Sequence, residues 1–239
     1  MPRLYTDLAA WWPLFSPPDR HEEEAEWLLG VLDTALGHRP ASLLELGSGG
    51  GHTASHLGRD VALTLVDIAP AMLAVSRALN PRATHVEADM RTVRLGATFD
   101  VVMIHDAIMY MTSEDDLVAA LRTARAHVAA NGLAVVLPDY VAETFRPHVE
   151  TGGEDGADGS GIRYVSWVQA PAAGATTHAV DLAMLVRAAD GTVEAVHDRH
   201  TYGLFPRALW SGAFERAGFA APTVTPDWWQ RDVFLAKPA

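Results

Sequence analysis

The feature that most limits how this chain can fold is a run of glycines directly after an apolar segment. Residues 43–53 read LLELGSGGGHT, so a strand-like stretch gives way to four glycines before a helix-like stretch begins. Glycine has no Cβ, so it adopts positive φ angles and lets a ligand approach the backbone closely. A loop of this kind after a first strand is where open α/β sheets bind nucleotide-like cofactors.

The spacing of these glycines argues against one class of cofactor. Dinucleotide-binding loops place glycine at the first, third and sixth positions, and the sixth lets the helix pack closely behind a pyrophosphate. Counting from Gly47, the sixth position is His52. The loop instead reads E-x-G-x-G-x-G, starting at Glu45 and ending at Gly51. A bulky side chain at the sixth position therefore disfavours a dinucleotide.

Composition narrows the classes of function. At 239 residues the chain has the length of one α/β domain with an insertion. Its formal net charge of −12 leaves no basic surface for nucleic acid, and the absence of cysteine excludes disulfides, Cys-ligated zinc and a cysteine nucleophile. With no signal sequence and no apolar run near ~20 residues, we expect a cytoplasmic protein without a membrane partner.

Strand-like and helix-like segments alternate over the first part of the chain. The predicted strands are 42–46, 63–67, 83–87, 99–104 and 133–138, and the predicted helices are 6–12, 22–36, 70–79 and 115–128. Asn131-Gly132 is predicted to end the last of these helices. Such alternation predicts a doubly wound, mostly parallel sheet with helices on both faces.

After Asp139 the pattern changes to that of an antiparallel insert. Residues 151–161 are acidic and glycine-rich, with little reason to be ordered. Three strand-like runs follow at 162–169, 178–187 and 192–202, with a hairpin turn at Asp190-Gly191. A helix at 206–217 and short strands at 220–225 and 232–237 complete the chain, and Trp228-Trp229 is expected to pack. We therefore predict a core of residues 1–139 and 206–239, and an insert of residues 140–205.

Acidic residues stand at the ends of two predicted strands after the glycine loop. Asp67 ends LTLVD, 20 residues after Gly47, close to the spacing of the acidic residue that holds ribose hydroxyls in nucleotide-binding α/β units. Asp89 ends HVEAD, one strand later. A solvated turn or a helix cap is the simpler explanation for any one such Asp, but three in register with a glycine loop, counting Asp106 after the fourth strand, indicate a cofactor site.

The E-x-G-x-G-x-G loop resembles the first motif of class I S-adenosylmethionine-dependent methyltransferases. The segment LYTDLAAWWPLF is also similar to the Y-D-x-L-A-x-x-Y-D opening of the small-molecule members, although Trp11-Trp12 replaces the second tyrosine and aspartate. This resemblance covers residues 1–139 by motif and 206–239 by the order of elements. It implies a Rossmann-like sheet of seven strands that ends in a hairpin, with an insert placed as in aminosugar N-methyltransferases.

The resemblance implies S-adenosylmethionine as the cofactor and assigns residues to it. Asp67 is expected to hold the ribose, and Asp89 is expected to accept from the adenine amine. The expected cofactor-binding residues are Glu45, Gly47, Ser48, Gly49, Gly51, Asp67, Ile68, Met72, Asp89, Met90, Arg91 and His105.

The methyl acceptor is expected to be a small metabolite, because the N-P-P-Y and D-P-P-Y signatures of DNA and protein amide methylation are absent. The expected catalytic residues are His105, His200 and Tyr110, and the expected substrate-binding residues are Tyr5, Trp12, Tyr110, Asp139 and Tyr202. His105 is the first choice for a base, although its backbone could instead contact the cofactor while its ring packs. No metal is expected, since His197 and His200 point to opposite faces of a strand.

Two other functions are compatible with such a fold. A nicotinamide-dependent oxidoreductase shares the sheet and the acidic ribose contact, but the chain lacks a Tyr-x-x-x-Lys pair and has His52 where glycine is needed. A non-catalytic module that binds the cofactor and regulates a partner is the other alternative. The sequence leaves open whether nitrogen or oxygen accepts the methyl group, and which oligomer forms.

Overall fold

The computed structural model describes residues 1–57, 61–227 and 229–239. Within these ranges the strands are β1 (Ser42–Leu46), β2 (Ala62–Asp67), β3 (Thr84–Glu87), β4 (Phe99–Ile104), β5 (Val128–Val136), β6 (His148–Gly152), β7 (Gly161–Val168), β8 (Thr177–Arg187), β9 (Val193–Gly203), β10 (Thr223–Pro226) and β11 (Asp232–Ala236). The α-helices are α1 (Trp12–Phe15), α2 (Glu22–Leu36), α3 (His52–Leu57), α4 (Pro70–Leu79), α5 (Glu114–His127) and α6 (Arg207–Ala217). None of these helices is long and apolar enough to cross a membrane.

The described strands form two sheets. The main sheet has the order β10-β11-β5-β4-β1-β2-β3, in which β1 to β5 are parallel and the closing β10–β11 hairpin is antiparallel. This confirms the predicted doubly wound, mostly parallel sheet. The second sheet, β6-β7-β8-β9, is antiparallel throughout and confirms the predicted insert.

Alternating side chains of β1 supply the cores on both faces of the main sheet. Leu43 packs with Leu28 of α2 on one face, whereas Leu44 packs with Leu121 of α5 and Phe214 of α6 on the other. All five side chains are fully buried, which fits a parallel strand covered by helices on both sides. The carboxyl ends of β1, β2, β4 and β5 are thereby held rigidly at one edge of the sheet.

The acidic segment 151–161 is more ordered than its composition predicts. Its first two residues belong to β6, which pairs with β7. Asp155 accepts from Arg163 at 2.8 Å and from Arg187 at 2.8 Å. These two arginines lie on neighbouring strands, so the composition of the segment alone cannot predict that they order it.

Two predicted element boundaries are wrong. In place of a helix over 6–12, the structure has short 3-10 turns at Arg3–Tyr5 and Ala9–Trp11 before α1. The Leu4 N–H donates to the Asp198 carboxylate at 2.9 Å, which ties the segment to β9. Asn131-Gly132 lies inside β5, beside a register shift in its pairing with β4. A Cβ at Gly132 would come 2.7 Å from the Asp100 carbonyl of β4, so this position needs a glycine.

The prediction that Trp228-Trp229 packs is wrong for Trp229. That side chain is 58% exposed, with the Arg231 guanidinium 4.8 Å from the ring centroid. Trp228 lies outside the described residues.

Two glycines of helix α6 and its C-terminal end allow a matched test of how backbone conformation affects stability. Gly218 ends the helix at φ 91°, and a Cβ there would meet no atom closer than 3.6 Å, so Gly218→Ala tests the left-handed conformation itself. We expect it to lower the free energy of unfolding by about 1 kcal/mol. Gly212→Ala, at a helical position with open space around it, should raise it by about 0.5–1 kcal/mol. Urea denaturation measures both, and equal effects would contradict this explanation.

Candidate active site

A cavity of about 560 Å³ lies at the carboxyl ends of β1, β2, β4 and β5, beneath the N-terminal segment. Nearly all of the predicted site residues line it: Tyr5, Trp12, Glu45, Gly47, Ser48, Gly49, Gly51, Asp67, Ile68, Met72, Asp89, Met90, Arg91, His105, Tyr110, Asp139 and Tyr202. Of the predicted set, all of it within the described ranges, only His200 is outside the lining. The structure thus brings positions from the whole chain to one cavity.

The glycine spacing has a backbone cause. Gly47, Gly49 and Gly51 have φ angles of 80°, 52° and 69°, all in the left-handed region that favours glycine. The N–H groups of Gly47 and Ser48 both donate to the Val66 carbonyl, at 2.7 and 2.9 Å. This doubly bonded turn brings the loop against β2, and a Cβ at Gly47 would lie 2.4 Å from that of Ala107.

Asp67 fixes the loop from the end of β2. One carboxylate oxygen accepts from the Gly49 N–H at 2.7 Å, and the other accepts from the Ala69 N–H at 2.8 Å. Burial raises the pKa of Asp67, and these two backbone donors partly offset the shift. Each oxygen retains a second lone pair, so a ligand in the cavity can still donate to Asp67.

Two buried polar atoms at the carboxyl end of β1 have no partner in the described structure. They are Glu45 Oε2 and Ser48 Oγ, on side chains that are 4% and 8% exposed. Burial raises the pKa of Glu45 to about 8. A buried polar atom without a partner is costly, so these atoms indicate a polar ligand that completes the site.

Apolar side chains line the cavity near Asp67. Ile68 is 51% exposed at the rim, whereas Met72 is buried beside it, and Met90 lies near Gly47. An exposed isoleucine at a cavity mouth provides a surface that a flat ring can cover. Together with the unpartnered polar atoms, these side chains fit a ligand such as S-adenosylmethionine, which has charged groups at one end and an aromatic ring at the other.

Asp89 is held in place by its neighbour Arg91. The Arg91 guanidinium donates to both Asp89 oxygens, at 2.6–3.1 Å, and its backbone N–H donates at 2.8 Å. Arg91 also donates to Asp116 of α5 at 2.8 Å. Hydrogen bonding to Arg91 lowers the pKa of Asp89, so this carboxylate at the cavity wall is ionised.

The structure argues against His105 as a base. Its Nε2 donates to Glu24 at 3.0 Å and its Nδ1 donates to Asp106 at 2.9 Å, so both ring nitrogens carry protons. Although burial opposes protonation, Asp106 and Glu24 raise the pKa of His105 well above its usual value. A doubly protonated ring has no lone pair for a further proton. The base role predicted for His105 is therefore corrected, although its position in the cavity is as expected.

Sequence reasoning missed two members of this charged cluster, Glu24 and Arg231. Arg231 donates to Glu24, donates to Asp227 at 2.6 Å, and lies 3.8 Å from Asp139. Glu24 is one of three consecutive glutamates at the start of α2, and Arg231 lies in the turn of the last hairpin. Neither position carries a motif, so only the fold reveals that they meet beside His105.

Tyr110 is the centre of a second polar cluster. Its hydroxyl lies 2.6 Å from His200 Nδ1, 3.0 Å from the Tyr5 hydroxyl and 3.2 Å from the Tyr202 hydroxyl. His200 Nε2 lies 3.3 Å from Asp198. A carboxylate only accepts, so Nε2 carries the ring proton, and Nδ1 can accept from the Tyr110 or the Tyr202 hydroxyl, at 2.6 and 3.1 Å. His200 is 1% exposed and reaches the cavity through Tyr110.

The two histidines of β9 point to opposite faces, as predicted. His197 lies on the outer face, where it contacts Asp181 at 2.7 Å, with its side chain 64% exposed. In the described part of the chain, no group of three or more His, Cys, Asp or Glu residues is placed to hold a metal ion.

Comparisons with known proteins agree with this geometry. A sequence model of the methyltransferase domain family matches residues 43–132. The dTDP-3-amino-3,6-dideoxy-alpha-D-glucopyranose N,N-dimethyltransferase of Streptomyces fradiae is 30% identical over 204 residues, which cover 84% of this chain and 78% of that protein. Neither a nicotinamide-dependent oxidoreductase nor a regulatory module is favoured by these matches.

Solved structures share the fold. The Streptomyces venezuelae protein DesVI superposes with a TM-score of 0.81 at 24% identity, over 92% of each chain. CalS10 of Micromonospora echinaspora, an amino pentose methyltransferase solved with bound S-adenosylmethionine, superposes with a TM-score of 0.77 at 25% identity, also over 92% of each chain. The chain therefore belongs to the class I S-adenosylmethionine-dependent methyltransferases of the small-molecule type, enzymes that transfer the methyl group of this cofactor to a small acceptor.

Proposed function

We propose that the protein methylates the amino nitrogen of an aminosugar carried on a nucleotide. The Streptomyces fradiae relative is named for N,N-dimethylation of such a sugar, and CalS10 is named for an amino pentose. The observation that carries the proposal is that the cofactor loop and the Tyr110 cluster line one cavity. A proton acceptor thus stands in the same enclosed space as the cofactor site.

Named side chains hold the cofactor in this proposal. When bound, S-adenosylmethionine supplies a sulfonium methyl group that is already strongly electrophilic. Asp67 accepts from the ribose hydroxyls with its remaining lone pairs, and Asp89 accepts from the adenine amine. Ile68, Met72 and Met90 cover the ring, while Glu45 and Ser48 contribute polar atoms that otherwise have no partner.

Acidic and aromatic side chains suit an amine as the acceptor. Asp139 lines the cavity, and its enclosure there and repulsion from Asp106 raise the pKa of Asp139 well above its usual value. A carboxylate of this kind gains stability when a cationic ammonium group comes near. The aromatic faces of Tyr5 and Trp12, whose centroids are 5.6 Å apart, attract the same cation.

The nitrogen must lose a proton before its lone pair can attack. We propose that the ammonium group donates to the Tyr110 oxygen while the Tyr110 hydroxyl proton moves to His200 Nδ1. The amine then has a free lone pair, Tyr110 remains neutral, and His200 becomes an imidazolium beside Asp198. Burial lowers the pKa of His200 and Asp198 partly offsets this, so the ring starts as a neutral acceptor. Tyr110 is the catalytic residue, and His200 is a positioning residue that acts through it.

The insert contributes directly to this site. Tyr202 of β9 lines the cavity, and His200 and Asp198 lie on the same strand. We propose that residues 140–205 form a substrate-covering subdomain on a core of residues 1–139 and 206–239. The cytoplasmic location and the lack of a nucleic-acid partner stay predictions from the sequence.

Incubation with S-adenosylmethionine and a panel of nucleotide-linked sugars tests the proposed acceptor. Each aminosugar is paired with the sugar that has a hydroxyl group in place of the amine. Mass spectrometry should find one or two added methyl groups on the aminosugars and none on their hydroxyl partners. Methylation confined to the hydroxyl sugars would refute an amine acceptor.

Replacing Asp67 tests the ribose contact. Asp67→Ala should weaken binding of S-adenosylhomocysteine by about 1–3 kcal/mol, because charge-assisted hydrogen bonds are lost. Asp100→Ala is the matched control, since Asp100 also accepts from two backbone N–H groups, of Ala41 and Ser42, but at the far end of β1. The control should lower stability and leave affinity unchanged. Calorimetric titration decides, and equal affinities of the two variants would remove Asp67 from the ribose site.

Two histidines of β9 allow a test of the proposed proton path. His200→Ala should lower kcat by about 100-fold or more, the usual contribution of acid–base assistance, with little change in S-adenosylhomocysteine affinity. His197→Ala, on the exposed face of the same strand, should leave kcat unchanged. Tyr110→Phe should match His200→Ala, because either substitution breaks the same path. A His200→Ala enzyme with full turnover would rule the path out.

A further inference from the structure

His52 lines the cofactor cavity but has no part in the steps above. It is the first residue of α3 and only 4% exposed. Its ring Nδ1 lies 2.5 Å from the Ser16 carbonyl. A carbonyl oxygen only accepts, so Nδ1 carries a proton and this side of the ring is fixed to the N-terminal segment.

The other ring nitrogen, Nε2, is buried and has no partner among the described residues. Burial and the nearby His21 lower the pKa of His52 to about 4, so the ring is neutral near neutral pH. With the proton on Nδ1, Nε2 has a bare lone pair and can only accept. A buried acceptor without a donor is costly, which indicates that a donor arrives with a ligand.

Two aromatic rings and the Gly50 backbone lie next to the His52 ring. The Trp12 and His21 rings lie 6.0 and 5.8 Å from the His52 ring, centroid to centroid. A Cβ at Gly50 would lie 2.4 Å from the Trp12 ring and 3.1 Å from Nε2, so the glycine lets both rings pack closely against the loop backbone. Gly50 and Thr53 line the same cavity.

We propose that His52 Nε2 accepts a hydrogen bond from the α-ammonium group at the amino-acid end of S-adenosylmethionine. That end carries an ammonium group, which only donates, and a carboxylate, which only accepts. A neutral imidazole with its lone pair in the cavity complements the ammonium group. The proposal rests on the cofactor alone and not on the aminosugar, so either one can fail without the other.

Two ligands and one variant test the proposal. His52→Asn keeps an amide N–H near the place of Nδ1–H, so the bond to Ser16 can persist, but it lacks Nε2. Calorimetry compares S-adenosylhomocysteine with 5′-methylthioadenosine, which has the same adenosine portion but lacks the amino-acid end. We expect the variant to bind S-adenosylhomocysteine about 10-fold to 100-fold more weakly, as for a lost hydrogen bond to a charged group, and methylthioadenosine unchanged.

His56→Asn is the matched control for damage to α3. His56 lies on the same helix, with Nε2 3.0 Å from the Pro18 carbonyl, and is not among the cavity-lining residues. This control should bind both ligands as the unmodified protein does. If His52→Asn weakened both ligands equally, Nε2 would act on the ribose or only shape the loop, and the proposal would be overturned. Unchanged binding of both ligands would overturn it too.

The pH dependence of ligand binding shows whether His52 contacts the ammonium group or the carboxylate at the amino-acid end of the ligand. The titratable groups facing the ring are His21 and His56, and Glu24 lies 3.7 Å beyond His21. Between about pH 8 and about pH 6 the neutral ring predicts a constant ratio of variant to unmodified Kd for S-adenosylhomocysteine. A ratio that grows as the pH falls would mean that a protonated ring binds the carboxylate, and would contradict the proposal.

Discussion

The carboxylate of Asp67 joins the glycine loop after β1 to the start of α4. It receives the N–H groups of Gly49 and Ala69, and the loop is fixed again where Gly47 and Ser48 donate to Val66. Because the strands are buried by helices on both faces, these bonds are anchored in a rigid sheet. The shape of the cofactor cavity follows from this connection, which also explains why the glycines fall at alternate positions.

Charge is divided between two clusters that border the same cavity. In the first, His105 and Arg231 are enclosed by Glu24, Asp106 and Asp139, so its histidine is kept protonated. In the second, Tyr110 and His200 are buried among neutral hydroxyls with a single carboxylate, Asp198, so their histidine is kept neutral. Two histidines in one site thus have opposite protonation states because of their neighbours. The division suits a reaction that attracts a cation and then removes its proton.

The sequence predicts the main sheet and much of the lining of the cavity, because these residues lie in short local motifs. The loop from Glu45 to Gly51, and Asp67 after the second strand, follow from backbone rules that act over a few residues. The Asp190-Gly191 turn is predictable for the same reason. Strand β6 is not predicted, since it forms by pairing with β7, and the turn after it is held through Asp155 by Arg163 and Arg187 of other strands.

The catalytic chemistry was less predictable, because it depends on contacts between distant residues. The position of His105 after β4 predicts a base. Glu24, 81 residues away in the chain, accepts from His105 Nε2 and so favours the protonated form of that nitrogen. The sequence identifies His52 only as a bulky residue in place of glycine. The structure shows that the Ser16 carbonyl fixes the tautomer of the His52 ring and that Nε2 has no partner among the described residues. Long-range charge pairing of this kind leaves no local pattern.

The central claim is that one cavity holds the cofactor against Asp67 and directs the transferred methyl group toward an amine bound beside Tyr110. A crystal structure with S-adenosylhomocysteine tests it most directly. The claim predicts ribose hydroxyls within hydrogen-bond distance of Asp67, adenine beside Ile68, and the thioether sulfur facing the space next to the Tyr110 hydroxyl. A complex in which the ribose makes no contact with Asp67, or in which the sulfur faces away from Tyr110, would contradict it.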